Sequence, residues 1–140
     1  MSVEHVFVDT NILVYAHDAD AGDRHVSALG KVIALWDRPY PPAISIQVLQ
    51  GLYATLTKKG ASAKECRRIV SIYFDWEVIK HDSELIASAM DLRDRFKISW
   101  WDSLIVASAM RANATFLWSE DLQEGQSFDR LTVVNPLVSA

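Results

Sequence analysis

The chain contains a single cysteine and no hydrophobic run long enough to cross a membrane. One cysteine, Cys66, excludes an internal disulfide framework and a zinc cluster built from cysteines. No stretch approaches the roughly 18 apolar residues that a membrane-spanning helix requires. The first residues lack a basic segment followed by an apolar one, so no signal peptide is indicated. We therefore expect a cytoplasmic protein without a membrane segment.

An excess of positive charge is also missing, since the formal net charge is −4. This balance does not indicate a general nucleic-acid-binding protein. Basic residues are nevertheless clustered locally, at Lys58-Lys59, at Lys64 with Arg67-Arg68, and at Arg93, Arg95 and Lys97. Such clusters are typical either of solvated helix faces or of contacts with a phosphate backbone, and total charge does not separate the two. The motifs of phosphate-binding loops, dinucleotide-binding folds and serine hydrolases do not occur.

The chain does contain short apolar runs that alternate regularly with segments of helical periodicity. With 140 residues, half of them hydrophobic, it is long enough for one domain, which we expect to span residues 1–140. Apolar runs predict strands at 6–8, 43–45, 76–79, 115–118 and 131–134, while residues 123–129 are predicted to form a loop. Spacings of three and four residues predict helices at 11–17, 24–36, 46–59, 63–74, 83–96 and 100–112. This order predicts an α/β fold, with a mostly parallel sheet covered by helices on both faces.

The first strand ends at a carboxylate. Val6 to Val8 are apolar, and Asp9, Thr10 and Asn11 follow them directly. Open α/β sheets bind their ligands at the carboxyl ends of their strands, where this pattern places Asp9. A buried carboxylate without a partner is costly, so Asp9 is expected to have one.

Two further acidic residues lie, like Asp9, at the end of a predicted strand or the start of a predicted helix. Asp102 lies in the first turn of a predicted helix, on a face that is otherwise apolar, and Asp121 follows the strand at 115–118 beside Glu120. Each acid alone could serve as a helix cap or a loop residue. Together they can converge above the sheet, where Mg²⁺ or Mn²⁺ would relieve their repulsion. Carboxylate clusters that hold one or two such ions are a common means of cleaving phosphodiesters.

Taken in order, these segments resemble one family, the PIN domain, and within it the VapC-like ribonuclease toxins of bacterial toxin–antitoxin pairs. The resemblance is carried by Val8-Asp9-Thr10-Asn11, Ile44-Ser45 with Gln47-Val48-Leu49, Trp101-Asp102 with Leu104-Ile105, Ser119-Glu120-Asp121 and Val134-Asn135-Pro136. It implies a PIN-like fold with a five-stranded parallel sheet between helices. It also implies an endoribonuclease that depends on Mg²⁺ or Mn²⁺.

The resemblance assigns roles and partners as well. It implies an RNA substrate, an antitoxin protein that inhibits the chain, and a homodimer. The positions that match the family's motifs imply three catalytic metal ligands, which are Asp9, Asp102 and Asp121. Polar support for them comes from Thr10, Asn11 and Ser119, with Glu120 adjacent.

One position departs from the family pattern. The family usually has a glutamate six residues after the serine that corresponds to Ser45, and Gly51 stands there. A glycine inside a helix costs about 1 kcal/mol relative to alanine, so helix propensity does not explain it. Gln47 and Gln50 cannot replace the charge, although either could hydrogen-bond a metal-bound water. The alternative is therefore a PIN-like domain with impaired catalysis that acts by binding RNA or protein.

A third interpretation is an unrelated α/β protein that uses Asp9 as a phosphate acceptor. Phosphotransferases of the common type have a second aspartate two residues after the first. Asn11 stands at that position, which counts against this interpretation.

Overall fold

The computed structural model describes residues 4–137, and its elements follow the predicted alternation. Each predicted helix and strand is present, with ends that differ from the prediction by two residues at most. The strands are β1 (Val6–Val8), β2 (Ala43–Ser45), β3 (Glu77–Ile79), β4 (Phe116–Trp118), β5 (Ser127–Phe128) and β6 (Leu131–Val134). The helices are α1 (Thr10–His17), α2 (Asp23–Trp36), α3 (Ile46–Lys58), α4 (Ala63–Ile72), α5 (Ser83–Phe96) and α6 (Trp100–Arg111), with 3₁₀ turns at Ala19–Ala21 and Tyr73–Asp75.

The strands form one sheet in the order β3-β2-β1-β4-β6-β5. Counted from β3 across the sheet, the first five strands run parallel to their neighbours. The sixth, β5, pairs with β6 in the antiparallel direction. The predicted α/β class is thereby confirmed. Because β1 lies between β2 and β4, the carboxyl ends of these three strands share one edge of the sheet.

The strand count differs from the five that were predicted, because β5 lies in the segment that was predicted to be a loop. Phe128 is fully buried, and its ring meets that of Phe96 edge-on at a centroid distance of 4.8 Å. A two-residue turn at 129–130 then leads into β6, with Asp129 in the left-handed region at φ 56°. A two-residue strand is too short to show the alternation from which strands are predicted.

Side-chain caps explain where several helices begin. The side chains of Ser45, Ser62, Asp82 and Ser99 each accept the backbone N–H of the residue three positions later, at the starts of α3, α4, α5 and α6. This bond satisfies one of the donors that the first turn of a helix leaves free. At the other end of α3, Gly60 adopts φ 99°, which terminates the helix in the way that glycine favours. No helix within residues 4–137 combines the length and apolar character of a membrane span.

Candidate active site at the carboxyl edge of the sheet

Asp9 is the buried centre of this edge. It directly follows β1, only 6% of its surface is exposed, and it is the N-cap of α1. Its Oδ1 accepts the backbone N–H of Thr10 at 2.7 Å, and its Oδ2 accepts the hydroxyl of Ser119 at 3.0 Å. The hydrogen-bond donors that this buried carboxylate requires are therefore the first N–H of its own helix and the hydroxyl of a serine that directly follows the neighbouring strand, β4.

Ser119 joins three parts of the site. Its buried hydroxyl donates to Asp9 and accepts the backbone N–H of Asp121 at 3.2 Å. Its own backbone N–H donates to the carbonyl oxygen of Val134 at 3.1 Å, at the end of β6. One residue, through its side chain and its backbone, thus fixes the turn after β4 relative to both neighbouring strands.

The other two acids approach Asp9 from different elements. Asp121 is held by Asn11, whose amide Nδ2 lies 3.3 Å from both carboxylate oxygens. Asp102 lies in the first turn of α6, where its backbone N–H donates to the hydroxyl of Ser99. The structure therefore brings carboxylates from β1, α6 and the turn after β4 to the same edge of the sheet.

The electrostatics of Asp9 reflect this proximity. Burial raises its pKa from the ordinary 3.8 to about 6. The hydrogen bonds from Thr10 and Ser119 oppose this rise, and the charges of Asp121 and Asp102 add to it. The pKa of Asp121 is raised as well, first by burial and then by Asp102 and Glu120. Neighbouring carboxylates thus disfavour the ionisation of Asp9 and Asp121, and a cation at this place would relieve that repulsion.

Both carboxylate oxygens of Glu120 are bonded to side chains of the first two helices. Its Oε1 accepts the hydroxyl of Tyr15 at 2.8 Å, and its Oε2 accepts Nε of Arg24 at 3.0 Å. These bonds tie the turn after β4 to α1 and α2. Sequence reasoning missed Tyr15 and Arg24, because each is about a hundred residues from Glu120 in the chain.

Gly51 lies against Thr10. A Cβ atom at position 51 would be 3.0 Å from Cγ2 of Thr10 and 3.1 Å from its Oγ1. Position 51 therefore faces the residue that follows Asp9. A side chain there would enter the neighbourhood of the acidic site, but only if Thr10 turned aside.

The donors at this edge suit a hard divalent cation. They are carboxylate, hydroxyl and amide oxygens, which Mg²⁺ and Mn²⁺ prefer. Within residues 4–137 no group of three or more His, Cys, Asp or Glu side chains is arranged to hold a metal ion. Mg²⁺ usually retains several waters and takes only one or two carboxylates, so an open acidic site fits it. A buried side-chain oxygen with no hydrogen-bond partner, Oε1 of Gln47, also lies on α3 close to this edge.

Five of the eight clustered basic residues fall into two groups. Two of the residues near position 60 line an open cavity of about 710 Å³, where Lys64 and Arg67 lie beside Tyr53 and Phe74. Others are neutralised by ion pairs on exposed helix surfaces: Lys59 with Asp18, Arg68 with Glu65, and Arg95 with Asp129. For this second group the solvated-face interpretation is favoured.

Comparison with known proteins agrees with this architecture. The family model of the PIN domain matches residues 6–131. The chain therefore belongs to the PIN domain family, as its sequence resemblance predicted. No curated protein matched the chain.

Several solved structures share the fold. VapC20 of Mycobacterium tuberculosis, a sarcin-ricin loop cleaving toxin, is 19% identical with a TM-score of 0.67, over 83% of this chain and 91% of that one. A toxin–antitoxin complex from Klebsiella pneumoniae is 20% identical with a TM-score of 0.67, over 94% and 97%. VapBC2 from Rickettsia felis, bound to a DNA fragment from its promoter, is 22% identical with a TM-score of 0.66, over 91% and 96%. At these identities the likeness establishes the fold.

The raised pKa of Asp9 predicts how metal-free protein responds to pH. The unfolded chain loses this proton near pH 3.8 and the folded chain near 6, so burial begins to cost stability as the pH rises through this interval. Asp9→Asn removes that cost. We expect the free energy of unfolding of the variant, relative to the parent, to rise by up to about 3 kcal/mol between pH 4 and pH 7.

Urea unfolding in a chelator at both pH values measures this difference. The exposed Asp91→Asn is the matched control, since it removes the same formal charge from the surface of α5. A gain of equal size in the control would assign the effect to net charge and not to burial of Asp9.

Proposed function

We propose that this PIN domain is an endoribonuclease that depends on Mg²⁺ or Mn²⁺ and serves as the toxin of a toxin–antitoxin pair. The observation that carries the proposal is the convergence of Asp9, Asp102 and Asp121 from three elements, with the pKa of Asp9 raised in part by the other two. Such a group of mutually repelling carboxylates is costly unless it serves to bind a cation.

In this proposal the chain's residues have distinct tasks. Asp9, Asp102 and Asp121 would hold the ion, directly or through its waters, while Asn11 orients Asp121 and Ser119 orients Asp9. When bound, the ion would supply Lewis-acid polarisation of the phosphodiester and an activated water. Tyr15 and Arg24 hold Glu120, and through it the turn that carries Asp121, in one position.

An RNA substrate is supported by the surface beside the acids. Trp101 directly precedes Asp102, and 66% of its surface is exposed although its indole ring is large and apolar. Exposed aromatic rings next to a catalytic cleft provide surfaces on which unpaired bases stack. The structurally similar VapC20 is a toxin that cleaves the sarcin-ricin loop, which supports RNA as the substrate class of this chain.

A protein partner is supported by two observations. The structural neighbours include a toxin–antitoxin complex and a VapBC2 assembly. In this chain the outer face of α2 exposes large apolar side chains, among them Val26 and Ile33. We propose an antitoxin as one partner and a second copy of the chain as the other.

Impaired catalysis is the second candidate, and Gly51 is the observation that favours it. Where the family usually has an acid, the chain has no side chain, and Thr10 occupies the adjoining space. A site with three acids would bind a cation more weakly than one with four. The domain would then act by binding RNA or protein, with slow cleavage or none.

Removal of one carboxylate should separate catalysis from folding. We expect Asp9→Asn and Asp102→Asn each to lower RNA cleavage by at least about a hundredfold, the order of loss that follows removal of one electrostatic group from an active site. Both variants should remain folded, since each removes repulsion. Cleavage of a labelled RNA by protein freed of any copurifying antitoxin measures the first effect.

Thermal melts of metal-stripped protein, with and without added Mn²⁺, measure ion binding directly. The parent should melt at a higher temperature with Mn²⁺, the Asp9→Asn variant should show no shift, and Asp91→Asn should behave like the parent. If the Asp9→Asn protein kept the full metal-induced shift, the assignment of Asp9 as a ligand would be wrong.

Restoring an acid at position 51 should strengthen the site. We expect Gly51→Glu to tighten Mn²⁺ binding and to speed cleavage, most visibly at low metal concentration. Because Cγ2 of Thr10 is the nearest atom to a side chain at position 51, the double variant Thr10→Ser with Gly51→Glu should gain more than Gly51→Glu alone. A Mn²⁺ titration of the cleavage rate tests both expectations.

Gln50→Glu is the control, since it adds the same charge to the exposed side of α3. Unchanged metal dependence in Gly51→Glu and in the double variant would mean that position 51 does not act on the ion. Cleavage by the parent as fast as by both variants, at every metal concentration, would remove the case for impaired catalysis.

The oligomeric state tests the proposed self-association. Light scattering of purified protein should give twice the mass of the chain, because burial of exposed apolar surface favours association. A monomer at all accessible concentrations would contradict the homodimer.

A further inference from the structure

We infer that Gln47 is a positioning residue of the acidic site, and that its side-chain oxygen holds a water in the hydration shell of the bound cation. The inference rests on the proposed function, because it requires a divalent ion at Asp9 and Asp102. It assigns to this chain a second means of holding the ion, at the place where the family's fourth acid is missing.

The first observation is an unsatisfied acceptor. Oε1 of Gln47 is inaccessible to solvent and has no hydrogen-bond partner. The orientation of the amide is defined, because Nε2 donates to the carbonyl oxygen of Trp101 at 3.3 Å. Rotating the amide by half a turn would bring two oxygens together and lose that bond. A buried acceptor without a donor costs free energy, so Oε1 requires a donor at this place.

The second observation is the position of this side chain. Gln47 lies in the first turn of α3, two residues after the end of β2 at the carboxyl edge of the sheet. Its partner, Trp101, immediately precedes Asp102 in α6. One turn further along the same face of α3 is Gly51, which faces Thr10 beside Asp9. Gln47 is therefore placed between the elements that carry Asp102 and Asp9.

The third observation concerns which donors the site can offer. Ionised carboxylates only accept hydrogen bonds, so the aspartates cannot satisfy Oε1. The amide of Asn11 is engaged with Asp121, and the hydroxyl of Ser119 donates to Asp9. No protein group donates to Oε1 in the metal-free structure, so the donor would be a water that enters with the ion. A water on Mg²⁺ or Mn²⁺ is polarised and donates strongly, and Mg²⁺ typically retains several waters when one or two carboxylates bind it.

Substitutions at position 47 test this role through metal binding, which needs no RNA. Gln47→Leu removes the acceptor at similar size, and we expect it to weaken Mn²⁺ binding by about tenfold in calorimetric titrations, as loss of an outer-shell partner commonly does. Gln47→Glu replaces the neutral acceptor with a charged one and should tighten binding. Gln50→Leu and Gln50→Glu, on the exposed side of the same helix, should leave the affinity unchanged.

The melting temperature of metal-free protein separates this role from a structural one. Gln47→Leu removes the unsatisfied acceptor together with the bond from Nε2 to Trp101, so its metal-free melting temperature measures the structural loss, while the rise in melting temperature on addition of Mn²⁺ measures the role at the ion. If Gln47 served only to join α3 to α6 through Trp101, Gln47→Leu would melt lower and bind Mn²⁺ as the parent does. That result would overturn the inference.

Asp9→Asn distinguishes failure of the inference from failure of the proposed function. If Asp9→Asn abolishes Mn²⁺ binding while both Gln47 variants bind like the parent, only the role of Gln47 is wrong. If Mn²⁺ binding is absent in the parent or does not depend on Asp9, the metal site itself is wrong, and the inference falls with it.

Discussion

The hydrogen bonds to the buried carboxylate of Asp9 are the constraint on which this structure depends. One oxygen accepts the first N–H of α1, and the other accepts the hydroxyl of Ser119, which also organises the turn before Asp121. The same two bonds therefore begin a helix, join two central strands and set the position of a second acid. They offset only part of the burial cost, since the pKa of Asp9 remains raised. The residue that holds the sheet edge together is thus also the one with most to gain from a cation.

Gly51 shows how closely packing and chemistry are linked at this edge. The absence of a side chain lets Thr10 lie against the backbone of α3, at a distance where even a methyl group would force an adjustment. In the interior of a helix glycine is normally a liability, because it loses more conformational freedom than other residues. Here it permits a close approach of α1 to α3. Any side chain added at position 51, charged or neutral, would therefore have to displace the side chain of Thr10.

Local patterns were enough to predict most of the fold. Apolar runs and helical spacing located α1 to α6 and the five parallel strands, because these strands are short apolar runs and each of these helices has a periodic apolar face. The first residues of several helices could be predicted from single N-capping residues such as Ser45 and Ser99. The strand β5 escaped prediction because it depends on the burial of Phe128 against Phe96, a contact between distant parts of the chain.

The candidate site was likewise predictable from the sequence only in part. The three aspartates could be named from their places at strand ends and in a helix start, and from their order along the chain. Their hydrogen-bond partners could not, because those partners are set by the tertiary fold. Its place in the sequence grouped Glu120 with Asp121, yet its carboxylate is bonded to Tyr15 and Arg24. Gln47 carried no signal of its unpaired oxygen, which arises only where α3 meets α6.

The strand order determines when, during synthesis of the chain, the acidic site can form. Ser119 lies 110 residues after Asp9, and β4, which pairs with one side of the central strand, precedes it directly. A chain still being synthesised holds β1 and β2 long before it can complete this arrangement. Until residues 116–121 have been synthesised, Asp9 lacks its hydroxyl partner and Asp121 does not yet exist. The acidic edge therefore cannot form before β4 and the turn after it are available to pair with β1.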